Sequence, residues 1–128
     1  MIRLNTAMLR RGVGIGSQHL LSVVGRTSGA IRSTPVSLAT VGGERYIVAA
    51  FADANWVQNV RASGEGKLSR RGRDEKVRLV EIPVDARGPV LRAFLDQVRG
   101  GVRFFGGQSP DEVVASADHY PIFRVVAS

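Results

Sequence analysis

The chain has 128 residues, 44% of them hydrophobic and 23% charged, which fits one folded domain with its own core and argues against intrinsic disorder. It contains no cysteine, so disulfides, thiolate catalysis and cysteine-based metal sites are excluded. The net charge of +7 is unevenly spread: Arg3, Arg10, Arg11, Arg26 and Arg32 all precede Glu44, the first acidic residue, and a field of that sign favours an anionic partner without identifying it.

In chain order, Ile2, Leu4, Met8 and Leu9 recur at roughly helical spacing, with Arg3, Arg10 and Arg11 on other faces. This predicts a short amphipathic helix that Gly12 ends. Residues 12–16, GVGIG, read as a connector, because a dinucleotide fingerprint needs a preceding strand, a following helix and a third glycine where Ser17 stands. The N-terminal helix and connector together cover residues 1–18 of the single expected domain. The apolar runs at 19–24 and 46–51 are strand-sized, far below the length that spans a bilayer. The protein is therefore expected in the cytoplasm, with peripheral membrane attachment left open.

Residues 19–24 read as a first strand and 31–41 as a second, with Gly42-Gly43 as the hairpin to a third strand at 45–51. Between the first two lies GRTSGAIRSTP, residues 25–35, which holds two glycines, two arginines, four hydroxyl side chains and no acid. It is either a serine-rich turn with solvated arginines or a cradle for an anionic group. A short helix follows over 54–62, with Asp53 as its cap and Ser63-Gly64 as its stop. Trp56, Asn59 and Val60 share one face of it. Either Trp56 and Val60 are core with Asn59 at the margin, or Trp56 is an apolar wall and Asn59 a polar clamp on one ligand.

Residues 67–71 and 76–83 read as strands joined at Gly72, with Arg70, Arg71 and Arg73 at the tip and a phase slip between Leu79 and Val80 of the kind a β-bulge or a barrel corner produces. No aromatic side chains interleave there, so no nucleic-acid partner is expected. Leu91, Phe94, Leu95 and Val98 mark a helix over 86–99, with Asp85 as cap and Pro89 in the first turn. The stretch 100–118 reads as irregular, Phe104 and Phe105 forming a lid or cavity wall, and 120–127 as a returning strand. The sum is a small antiparallel barrel with helices packed around it.

Catalytic groups are scarce. His19 and His119 are the only side chains that titrate near neutrality, no G-x-S-x-G elbow accompanies them, and two isolated histidines make a poor zinc set. No catalytic residue and no metal site is assigned; reactive atoms would belong to a bound cofactor.

The run GRTSGAIRSTPVSL, the hairpin GGERYIVAAF and the segment NWVQNVRASG together resemble the deazaflavin-dependent nitroreductase family. Its members share a G-R-x-S-G-x-x-R-x-x-P turn and a W-x-x-N-(L/V)-(R/K)-A element, and the ending DHYPIFRVV is similar to that family's last strand. The resemblance implies a mainly β fold with flanking helices, a split β-barrel of the FMN-binding type. It also implies coenzyme F420, an 8-hydroxy-5-deazaflavin with a phosphate and a polyglutamate tail, whose reduced form gives hydride to quinones, nitroaromatics or enones.

Carried over by position, Arg26, Thr27 and Ser28 would lie along the phosphate and tail, with Arg32, Ser33 and Thr34 closing on the phosphate and Pro35 shaping the turn. Ala49, Ala50 and Phe51 would meet the deazaflavin ring, Trp56 and Asn59 would bracket the cofactor, and Phe104, Phe105 and Tyr120 would line the substrate pocket. The loop before Trp56 is only FADAN, shorter than in many members of that family. Related split barrels bind FMN, FAD or haem, so those cofactors and a non-catalytic deazaflavin carrier are the alternatives. The partner implied is a small-molecule electron acceptor, and split barrels of this size often form homodimers.

Overall fold

The computed structural model describes residues 17–98 and 100–128; the expected N-terminal helix and its glycine connector lie outside them. Six strands close into one antiparallel barrel in the order β1-β2-β3-β6-β5-β4. They are β1 (Ser17–Val24), β2 (Ile31–Val41), β3 (Glu44–Val48), β4 (Glu65–Arg70), β5 (Arg73–Glu81) and β6 (Ile122–Ala127). Closure comes from β1 pairing with β4, Leu21 opposite Leu68.

Side chains alternate across each strand, so one set faces inward. Leu21, Val23, Leu38, Ile47, Leu68, Val77, Leu79, Phe123 and Val125 form the interior cluster, and helix α1 (Asn55–Ser63) adds Val57 and Val60 to it. Each such side chain contributes about 1.5–3 kcal/mol by leaving water. A second cluster lies on the outer face of β2, β3 and β6, where Ala39, Val48 and Ile122 meet Val90, Leu91 and Phe94 of helix α2 (Arg87–Gln97). Among the described residues no helix is long and apolar enough to cross a membrane.

Several expectations change. Asp53 does not cap α1: Ala54 occupies that position with no side-chain cap bond, while Gly64 ends the helix as read from the sequence. The strand before α1 ends at Val48 rather than 51. No phase slip occurs in β5, whose pairing with β6 runs unbroken from Val77 opposite Ala127 to Glu81 opposite Phe123. Val80 simply faces outward, 40% exposed. Asp85 lies within a 3₁₀ turn, Val84–Ala86, so that α2 starts at Arg87 with Ala86 in the cap position.

The stretch after α2 is not irregular. It carries α3 (Gly101–Phe104) and α4 (Pro110–Ala115), the latter with a complete capping box: Ser109 Oγ accepts from the Glu112 N–H and Glu112 Oε1 from the Ser109 N–H. Arg87, unremarked in the sequence, is buried and fastens this region. Its guanidinium donates to the carbonyls of Ile82, Ala117 and Tyr120 at 3.1–3.2 Å and to Glu81 at 3.2 Å.

Candidate functional site

The turn between β1 and β2 is closed by its own backbone. The Gly25 N–H donates to Ala30 O at 2.7 Å and the Gly29 N–H to Gly25 O at 2.9 Å, while Ser28 Oγ accepts from the Ala30 N–H at 3.1 Å. Gly29 has φ +77°, a conformation that costs other residues energy, and a Cβ on Gly25 would stand 3.1 Å from both Ala30 O and Ser28 Oγ. The register then sets Arg32 opposite Val23, Ser33 opposite Ser22 and Thr34 opposite Leu21. The hydroxyls of Ser22 and Ser33 meet at 2.8 Å.

Helix α1 fastens this turn from below. Asn59 is only 4% exposed, and its Oδ1 accepts from the Arg26 backbone N–H at 3.1 Å and from Arg26 Nη1 at 2.7 Å. Trp56, on the same helix, packs its ring 5.9 Å from that of Phe123 in the barrel core.

The result is a cleft of about 580 Å³ into which the structure brings Arg26, Thr27, Ser28, Arg32, Ser33, Thr34, Trp56 and Asn59, together with Val23, Gly25 and Asn55. Among the described residues, none that lines it is acidic. The donor set of guanidinium and hydroxyl groups suits a phosphate or carboxylate, so the residues present fit a phosphorylated, acidic cofactor. The sequence reading placed Asn59 on the ligand; here its Oδ1 is taken by Arg26, 33 residues away, a pairing no local pattern could reveal.

The other expected site residues lie elsewhere. Pro35 is exposed on β2 opposite Leu20. Ala49 is buried, its N–H bonded to Pro121 O at 2.9 Å; Ala50 is half-buried and Phe51 is 70% exposed. Phe104, Phe105 and Tyr120 are not brought to the cleft. Phe105 and Tyr120 are buried in the cluster on α2, their rings 4.7 Å apart, with the more exposed Phe104 ring 5.0 Å from Phe94.

A second cleft, of about 600 Å³, lies at the other end of β1, between His19, Leu68, Arg70, Arg71, Arg73, Asp74 and Glu75. Its acids are engaged. Arg45 donates to both Glu75 oxygens at 2.9 and 2.7 Å, which holds that carboxyl below its ordinary range. Asp74 is held low by the Ser69 hydroxyl at 2.7 Å and then by Lys67 at 3.6 Å. Among the described residues no group of three or more His, Cys, Asp or Glu side chains could hold a metal ion.

A closed six-stranded antiparallel barrel with flanking helices is a split β-barrel, and here one end of it carries a cationic cleft. Within that class, the family model of F420H(2)-dependent quinone reductase matches residues 1–103, and the chain belongs to that family. The family is one of oxidoreductases that, by its description, use the reduced form of coenzyme F420.

Solved structures agree on the fold. The Agrobacterium tumefaciens protein Atu2129, of unknown function, superposes with a TM-score of 0.65 at 12% identity, over 98% of this chain and 54% of that one. This chain thus spans about half of the Atu2129 protein. An F420-H2 dependent reductase, FDR-A, gives 0.62 at 17% identity over 84% and 92% of the two chains. A structure described as a domain-swapped dimer gives 0.61 at 17% over 97% and 96%. No curated protein matches this chain.

Proposed function

We propose that the cleft between the β1–β2 turn and α1 holds the phosphate and acidic tail of coenzyme F420, and that the protein reduces a quinone-type electrophile. One observation carries the reading: Arg26 and Arg32 stand with four hydroxyl residues in a cleft that, among the described residues, no carboxylate lines. An anion there meets charge-assisted donors without a competing acid. When bound, F420 supplies hydride from its reduced form to the acceptor.

The chain's own residues bind and orient. Arg32, Ser33 and Thr34, at the start of β2, and Thr27 and Ser28, in the turn, offer donors to the anionic groups. Trp56 gives the cleft an apolar wall that rests on the core through Phe123. The ring belongs, in this reading, beside residues 49–51, where Ala49 and Ala50 carry small side chains just before the helix that supplies Asn55 and Trp56. A quinone would approach past Phe51, whose ring is exposed.

The test is a titration of the purified protein with coenzyme F420, followed by its fluorescence, and then oxidation of the reduced cofactor with menadione, a nitroaromatic and an enone. Saturable binding and faster oxidation with the quinone support the reading. Binding of FMN in place of F420, or no oxidation by any acceptor, refutes it. Light scattering on the same sample reads whether the chain is a homodimer, as the domain-swapped structure encourages.

A further inference from the structure

Arg26 differs from the other well-anchored arginines. Arg45, Arg61, Arg87 and Arg92 each place a guanidinium nitrogen 2.7–3.2 Å from a carboxylate oxygen. Arg26 is held as closely, at 2.7 Å, but by the neutral amide of Asn59. That amide sits on α1 between Val57 and Val60, which are anchored in the barrel interior, and the same oxygen also takes the Arg26 backbone N–H.

We infer that Asn59 is a positioning residue: it fixes the Arg26 guanidinium at the cleft with an uncharged acceptor, so that the cation is ordered in advance while its charge stays available to an anionic ligand. The inference rests on the cleft reading above. A carboxylate at this position would accept the same two bonds and bind Arg26 more strongly, but would cancel the charge that the ligand needs. Loss of the acceptor would leave the charge held only by the long 3.4 Å bond from Arg26 Nη1 to Asn55 O, so that binding would have to order the side chain. Asn59 acts on the ligand through Arg26, and Arg32 provides the second guanidinium of the cleft.

The test is a double-mutant cycle on coenzyme F420 affinity, read by fluorescence quenching, with melting temperature followed by circular dichroism. Arg26→Ala and Asn59→Ala should each weaken binding by about tenfold or more, the scale of a charge-assisted bond. Asn59→Ala added to Arg26→Ala should then cost less than about twofold further. If the two losses multiply, Asn59 touches the ligand itself and the inference falls. If Arg26→Ala leaves affinity unchanged, the cleft reading falls first.

Asn59→Asp supplies a readout that a purely structural role would not move. It keeps the side-chain volume and both acceptor bonds, so the melting temperature should hold or rise while F420 affinity drops at least about tenfold. Wild-type affinity in Asn59→Asp overturns the proposal. Should Asn59→Ala fail to fold, Asn59→Ser takes its place in the cycle, with the same two outcomes.

Discussion

The two clefts at opposite ends of β1 are nearly equal in volume, about 580 and 600 Å³, and arginines line both. They differ in what answers the arginines. At the β4–β5 end, Asp74 and Glu75 sit in the lining, and Glu75 is gripped by Arg45 through two bonds. At the β1–β2 end no acid is among the described residues that line the cleft, and the closest partner of the Arg26 guanidinium is an amide. Neither size nor the number of cations separates a binding site from a folded salt network; the presence of compensating carboxylates does.

Arg87 marks the structural extreme of that contrast. Arg87→Ala would leave the carbonyls of Ile82, Ala117 and Tyr120 without their donor, and should cost about 3 kcal/mol of stability. Urea denaturation measures it, and the F420 affinity of the folded fraction should stay at the wild-type value. The functional extreme is Arg32→Ala, expected to weaken F420 binding by ~1–3 kcal/mol. Arg73→Ala, at the other cleft, is the matched control and should leave that affinity alone. Equal losses in the two variants would erase the distinction between the clefts.

Smaller effects sharpen it. Glu75→Gln removes the carboxylate from a half-exposed pair and should cost no more than about 1 kcal/mol of stability. It should also raise the affinity of the second cleft for inorganic phosphate, seen as new shifts of residues 68–75 in an NMR titration. The pH dependence is the mildest test. Glu75 and Glu81 are held low by their hydrogen bonds to Arg45 and Arg61. A carboxyl with a depressed folded pKa contributes stability above its ordinary range and loses it as pH falls through the folded value. The denaturation midpoint should therefore be flat near neutrality and decline only in acid below the ordinary carboxylate range. Glu75→Gln should lessen that decline.

Local signals made much of the barrel legible. Residues 31–41 form the strand read from the sequence, the Gly42-Gly43 pair makes its hairpin, and Gly64 ends α1. Val80 misled because alternation assumes that a valine faces inward, and this one does not. The Ser109–Glu112 capping box was readable, yet the neighbouring Phe104, Phe105 and glycines drew the stretch toward an irregular lid. The cationic turn was also readable, since its arginines and hydroxyls are contiguous in the chain. What holds it was not: Arg26 meets Asn59 only because the barrel folds α1 beneath the β1–β2 turn, and Arg87 finds its carbonyls only where three separate segments converge.

Trp56 is the only tryptophan in the chain. One edge of its environment is the cleft and the other is the Phe123 ring in the barrel core. The molecule thus carries a single indole fluorophore, and it stands at the boundary between ligand and core. Its emission should shift once when the cleft fills and again when the barrel opens, so occupancy and unfolding can be followed on one unlabelled sample.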